Sequence, residues 1–194
     1  MSEKEKMLNY ELYNANYDEE LIAERIKVKD LCFLYNGLKP SMIDERKKII
    51  KKILGKTKKS YLIEQPFICD YGYNIEIGEN FYANHNLLIL DPAKVIFGDN
   101  VFIGPNCSFY TAFHPLEYNL RNEGLEQASP IIVGSNVWLG GNVTVLPGVS
   151  IGDNVVIGAG SVVIKDIPNN SLAVGNPAKV VKKLPENGNV EGVM

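Results

Sequence analysis

Apolar residues recur along this chain with two different periods, and the change falls near residue 60. Up to that point Lys and Glu are frequent, Gly is scarce and the spacing is helical. Leu21, Ile22, Ile26 and Leu31 predict a helix that Asn16 or Asp18 caps and Asn36-Gly37 ends, since a short polar side chain can accept from the free N–H groups of a first turn. Ser41 with Asp44 three residues on predicts a capping box opening SMIDERKKIIKKIL, a helix that Gly55 ends. Lys47, Lys48, Lys51 and Lys52 read as its solvated face.

From Ile75 the period becomes six. Phe97, Ile103, Phe109, Val133, Leu139, Val145, Ile151, Ile157 and Val163 are all separated by multiples of six, and mostly β-branched residues stand two positions earlier, from Val95 to Val155. Ile77, Ala83 and Ile89 keep the same step, then slip by two at Ala93-Lys94. Valines at this spacing suit short strands, and a six-residue repeat of strand and turn predicts a parallel β-helix. The following residues read Gly78, Asn84, Leu90; Gly98, Gly104, Tyr110; Gly134, Gly140, Leu146; Gly152, Gly158, Ile164. Small, small, bulky recurs, so one coil takes three repeats and is triangular with one side distinct. Glycine at a corner allows positive φ and close approach of backbones.

The pattern therefore predicts a mainly β chain: a helical segment over 1–60, a β-helix over 61–178 and a C-terminal tail over 179–194. Its regular coils run 75–92, 95–112, 131–148 and 149–166. Residues 113–130, FHPLEYNLRNEGLEQASP, carry no repeat and leave the coil as an excursion; a long loop in a strict repeat is usually functional.

Composition narrows the function classes. With 20 Lys and Arg against 23 Asp and Glu, the chain has no broad basic field for nucleic acid. The first residues, MSEKEKMLNYELY, lack a signal-peptide apolar run, and no apolar stretch is long enough to cross a membrane as a helix. Cys32, Cys69 and Cys107 are widely spaced with no C-x-x-C, which favours a reducing compartment over a disulfide framework or zinc site. A cytoplasmic location is expected.

Only two histidines occur, His85 and His114, and His114 opens the excursion. Imidazole titrates near neutrality, so a histidine where regular backbone gives way to a loop suits proton abstraction from a hydroxyl. Gly141 and Ala159 stand three repeats apart and so stack in adjacent coils, with Trp138 on the same side and Asn84 on the equivalent side of the first coil.

PFICDYGYNIEIGENFYANHN, YTAFHP, NVWLGGNVTVLPGVSIGDNVVIGAGSVVIKDIP and AVGNPAKVVKKL resemble the bacterial maltose and galactoside O-acetyltransferases, over nearly the whole chain. CDYGYN and YTAFHP lean towards the maltose type. This resemblance implies a left-handed coil, against the usual right-handed crossover, and a homotrimer with active sites between subunits. It implies acetyl-CoA as co-substrate, with no metal required, and His114 as the base that frees an acceptor oxygen to attack the thioester directly. Asn84 is then an oxyanion donor or substrate anchor; otherwise it is a turn-stabilising corner residue. Asp70, Asp91 and Glu126 fall among the acceptor ligands, although Asp70 also reads as a turn residue before Tyr71-Gly72. Small Gly141 and Ala159 leave room for the pantetheine arm, Trp138 walls the thioester end or packs a subunit contact, and Ile164 and Lys165 line the same channel. Lys179 and Lys182 stand where the family has arginines near the CoA phosphates; they keep the charge but lose the bidentate fork, and otherwise form a solvated basic terminus. Leu12-Tyr13-Asn14-Ala15 lacks the aspartate of the galactoside branch, and Pro92 replaces a second acid, so the sugar stays open.

Three other readings share this pattern. An acetyltransferase for serine or for a drug hydroxyl would use the same fold and base. A γ-class carbonic anhydrase needs three histidine ligands where this chain has two histidines in all. A purely structural or ice-binding β-helix needs neither the excursion nor a lone tryptophan beside glycine.

Overall fold

The protein is described here by a computed structural model covering residues 1–186; the remainder of the expected 179–194 tail lies outside the described residues. The chain winds as a parallel β-solenoid of about six turns behind N-terminal helices. Face A is built from Ile75–Glu76, Val95–Phe97, Ile131–Val133 and Ser150–Ile151. Face B holds Tyr61–Ile63, Phe81–Ala83, Val101–Ile103, Val137–Leu139, Val155–Ile157 and Ser171–Val174. Face C holds Phe67–Cys69, Leu87–Leu90, Ser108–Tyr110, Thr144–Val145 and Val162–Val163. The chain runs A to B to C, and every contact between coils on these faces is parallel and in register.

Coil lengths explain why the six-residue period is incomplete. Tyr61 pairs with Phe81 and Tyr82 with Phe102, so the chain advances by more than three repeats in each of these coils. Val101 pairs with Val137, a double-length step that contains the excursion. Val137 to Val155 is three repeats, and Val155 to Ser171 falls two positions short of that. Coiling thus begins before Ile75, with a bridge from Lys56 to Glu76. In the longer early coils the extra residues lie at the corner between faces C and A, at 70–74 and at 91–93, which is also where the excursion leaves.

Inward residues of the three faces alternate with outward ones and fill the prism. Phe81, Phe97 and Phe109 stack down its centre at 5.1 and 5.0 Å between ring centroids. The corner glycines divide the two roles expected of them. Gly78, Gly98, Gly104, Gly134, Gly140 and Gly152 have no positive φ; a Cβ on Gly98 would stand 2.7 Å from the Gly134 carbonyl carbon of the next coil. The left-handed conformation is taken two residues later, by Asn80, Asn100, Asn106, Asn136, Asn142 and Asn154. Asparagine tolerates that region, and its amides bond coil to coil, Asn80 to Asn100 at 2.9 Å and Asn100 to Asn136 at 3.2 Å.

The helices close the open first coil. α1 (Glu3–Leu8) starts at a capping box of Ser2 and Glu5 that the apolar pattern does not show. α2 (Glu19–Asn36) is capped by Asp18, whose side chain accepts from the Leu21 N–H at 2.9 Å. α3 (Ile43–Ile53) departs from expectation: Ser41 does not cap it. The Met42 N–H donates to the Lys39 carbonyl in a turn, so the helix starts one residue late, with Met42 at its cap and no side-chain bond. Asn36 bonds both polar groups of Phe67, and Arg46 donates to the Ile63 carbonyl and to Glu64, both at 2.9 Å, covering backbone that a first coil would leave unpaired. At the other end Lys179–Lys183 folds back as an antiparallel strand on Ser171–Val174.

Candidate functional site

The C/A corner gathers most of the chemistry. Asp91 is wholly buried, and its Oδ1 accepts from the Asp70 and Tyr71 N–H groups at 3.0 and 2.9 Å. Asn74 donates to the Asp91 carbonyl at 2.8 Å, and Thr111 Oγ1 donates to Leu90 O and accepts from the Ala93 N–H. These bonds tie the widened coils together. Asp91, expected among the acceptor ligands, is thereby corrected: its carboxyl group is enclosed and works on backbone, because the corner turns inward there. Burial, with the Asp70 charge beside it, pushes its pKa up to about 8 against the pull of the backbone donors.

The excursion is itself a small sheet. Ala112–Phe113 goes out, a helix at Tyr118–Asn122 turns the chain, and Leu125–Ala128 returns antiparallel. Tyr13–Asn14, from the N-terminal segment, adds a third strand with Tyr13 opposite Glu126. His114 follows Phe113 directly, and its Nδ1 lies 2.8 Å from the Leu125 carbonyl oxygen. A carbonyl only accepts, so Nδ1 carries a proton, and in the neutral ring Nε2 holds the lone pair. His114 is 42% exposed, and Glu126 Oε2 stands 3.8 Å from Nε2, too far for a hydrogen bond but close enough for charge attraction whenever Nε2 takes up a proton.

Glu126 is mostly covered, and burial raises its pKa while the Tyr13 hydroxyl and His114 lower it. The Tyr13 hydroxyl donates to Glu126 Oε1. Asp70 is also raised by burial and lowered by Lys29 and Arg25; Lys29 Nζ lies 3.9 Å away. Arg25 donates to the Tyr71 hydroxyl and the Ala15 carbonyl, both at 2.6 Å, which pins α2 to this corner. Tyr13 and Arg25 were not legible as site residues. Tyr13 meets Glu126 across 113 positions of sequence, and nothing local to LYNAN signals that partner.

A second group occupies the corner between faces B and C. Asn84, Gly104, Gly140 and Gly158 form one column, each N–H bonded to the next coil. Gly141 and Ala159 flank it; the Gly160 N–H donates to Gly141 O at 2.9 Å, and a Cβ on Gly140 would meet Ala159 N at 2.6 Å. Asn84 Oδ1 accepts from the His85 N–H, which leaves its amide as a donor. Trp138 projects from face B in a column with Leu62 and Phe102, the three 46, 36 and 42% exposed. Lys182 pairs with Leu172, which continues the Trp138 column, and Lys179 pairs with Val174; both lysines are exposed. Ile164 and Lys165 follow face C and stand with the excursion at the C/A corner.

The expected site residues thus fall on two edges of face C. His114, Glu126, Asp70, Ile164 and Lys165 share one edge; Asn84, Gly141 and Ala159 share the other, with Trp138 and the lysines on face B beside them. A single chain does not bring the two groups together. No helix among the described residues is long and apolar enough to cross a membrane.

Residues 6–58 match the maltose acetyltransferase hexapeptide capping motif, and residues 130–165 match the bacterial transferase hexapeptide of six repeats. A maltose O-acetyltransferase from Clostridium difficile 630 is 51% identical, with a TM-score of 0.93 over 96% of this chain and 99% of that one. A galactoside acetyltransferase in complex with coenzyme A is 40% identical, with a TM-score of 0.91 over 96% and 93%. A hexapeptide-repeat acetyltransferase from Vibrio cholerae, complexed with acetyl coenzyme A, is 35% identical, with a TM-score of 0.87 over 96% and 100%.

Proposed function

The chain belongs to the maltose/galactoside O-acetyltransferase hexapeptide family and is an acetyltransferase, and from that premise we propose that it moves the acetyl group of acetyl-CoA to a sugar hydroxyl with His114 as general base. The observation that carries the base assignment is the Nδ1 contact to the Leu125 carbonyl, which makes Nε2 the lone-pair nitrogen of the neutral ring, exposed at the mouth of the excursion. Nε2 takes the hydroxyl proton, the acceptor oxygen forms a bond to the thioester carbon, and a tetrahedral oxyanion results. The Asn84 amide is a suitable donor to that oxygen. Collapse breaks the C–S bond, and the departing thiolate takes the proton back from the imidazolium. Glu126, 3.8 Å from Nε2, balances the imidazolium while it exists, and Asp70 beside it accepts from sugar hydroxyls.

Because His114 and Asn84 sit on opposite edges of face C, a complete site needs two copies of the chain. A closed threefold assembly supplies that pairing at each junction, and the apolar column of Leu62, Phe102 and Trp138 suits burial against a neighbour. The same junction joins Gly141, Ala159 and Trp138 to the Ile164 and Lys165 of the next copy along the acetyl-CoA arm. Lys179 and Lys182 lie towards its phosphate end as point charges.

The test is thiol release from acetyl-CoA across glucose, maltose, galactosides, serine and small-molecule drugs. Release with one or more sugars, and an acetylated sugar among the products, is the expected result. Release with only serine or a drug would replace the sugar reading, and release with none would sink acetyl transfer to a hydroxyl.

A further inference from the structure

Tyr13 has no part in the reaction as set out above, yet it is built into the site. Its ring is fully buried among Met7, Ala15, Leu21 and Tyr71. Directly opposite residues of an antiparallel pair point to the same face, and Tyr13 stands directly opposite Glu126. The two oxygens of Glu126 are divided: Oε1 accepts from the Tyr13 hydroxyl, and Oε2 faces His114 Nε2 at 3.8 Å. One mostly covered carboxylate therefore links a strand of the N-terminal cap to the ring proposed as base.

We propose that Tyr13 is a positioning residue for acetyl transfer: its hydroxyl fixes the Glu126 carboxylate in its ionised form opposite His114. The inference rests on His114 as the base and deepens that reading, because it makes the capping segment part of the catalytic apparatus as well as a plug for the first coil.

The groups facing Glu126 set the sign of the effect. Burial raises its pKa most, and Asp70 from the C/A corner adds to that. Tyr13 from the outer strand, His114 from the excursion and Arg25 from α2 lower it. Burial and the Glu126 charge push the Tyr13 phenol up, so it stays a donor throughout the working range. Removing the hydroxyl takes away the largest of the lowering contributions. Glu126 then takes up a proton at higher pH, and a neutral carboxyl no longer balances the imidazolium.

The experiment uses the full chain with an acceptor that the wild type acetylates. Rates are followed against pH for wild type, Tyr13→Phe, Glu126→Gln and the double variant, with melting temperature and the KM for acetyl-CoA measured alongside. Tyr13→Phe keeps the buried ring. It is expected to lower kcat about tenfold, leave the KM for acetyl-CoA in place, and move the acid limb of kcat/KM up by about half to one pH unit. In the Glu126→Gln background the same change should move neither kcat nor the acid limb. An unmoved acid limb in Tyr13→Phe, or an equal loss in both backgrounds, means that the hydroxyl serves packing alone and overturns the proposal. Should Tyr13→Phe fail to fold, Glu126→Gln carries the test, and an acid limb identical to the wild type overturns it. Wild-type rates in His114→Ala would instead sink the base assignment, an outcome recognisable without any Tyr13 variant.

Discussion

His114 is held at the ring nitrogen that does not react. The Leu125 carbonyl takes the Nδ1 proton in a hydrogen bond, so the tautomer suited to a base is set by backbone geometry before any acceptor arrives. His114→Ala should therefore lower kcat by about 10² to 10⁴ while leaving binding of coenzyme A nearly intact. Steady-state rates with calorimetry of coenzyme A binding check this, and unchanged turnover would remove the base. Asp91 makes a different prediction. Its Oδ2 is buried and has no hydrogen-bond partner among the described residues, and burial pushes the pKa of the carboxyl up to about 8 in the folded chain. The unfolded carboxyl releases its proton near pH 4, at the ordinary aspartate pKa of about 3.9. Between these values the folded state binds the extra proton, so this group's contribution to stability falls as pH rises through the window. Thermal melts from about pH 5 to about pH 9 should show a steeper decline in wild type than in Asp91→Asn, which keeps an oxygen for the two backbone donors but does not titrate. Equal slopes would mean that Asp91 is ionised throughout.

Corners, more than strands, are where the repeating element is demanding. The strands need only β-branched or apolar residues facing inward, and many substitutions would satisfy that. Apart from the corner at Asn84-His85-Asn86, the small corners take a residue without Cβ where the next coil crosses, and most then take an asparagine at positive φ two places on. GEN, GDN, GPN, GSN, GGN and GDN at positions 78, 98, 104, 134, 140 and 152 meet both conditions. The G-x-N spacing was open to reading in the chain. A period traced only through apolar residues and glycines passes over it, since asparagine is polar and carries no hydrophobic signal. Gly98→Ala should destabilise the fold by about 1–3 kcal/mol, because the added methyl meets rigid backbone of the next coil and neither side can yield. Chemical denaturation reads this directly, and a loss below about 0.5 kcal/mol would show that the coils can part without cost.

At the scale of the molecule, the excursion, the widened coils and the N-terminal cap all meet at one corner, and Asn84 with the small-residue column stands at another. This division makes a strong prediction about shared sites. His114→Ala and Asn84→Ala chains, each impaired alone, should regain activity when unfolded together and refolded as a mixture. With random assortment and one His114 and one Asn84 from different copies per site, about a quarter of the sites would be intact. Recovery near that level, with a mass in solution of three chains, supports sites between subunits. A mixture no more active than its components would place each whole site within one chain.

The period of six, the coil of three repeats and the place where regular backbone stops were all legible in the order of residues. A solenoid repeats the same local contact in every turn, so its pattern is written once per coil. The distinct third position of each coil, Leu90, Tyr110, Leu146 and Ile164, already marked the corner where the chemistry collects. His114 stood out in the sequence because it opens the loop, whereas Glu126 was expected among the acceptor ligands only through the family resemblance. Only the tertiary structure decided that Asp91 turns inward to hold backbone, and that Tyr13 reaches Glu126 from the far end of the chain. It alone separated Asn84 from His114 by a full face of the prism. The physical reason is common to all three: these relations depend on which corner a residue occupies after several turns of winding, and on a cap folded back over them. The step from Tyr61 to Phe81, from Val101 to Val137, from Val137 to Val155 and from Val155 to Ser171 differs each time, so stacked positions cannot be summed from a period of six alone.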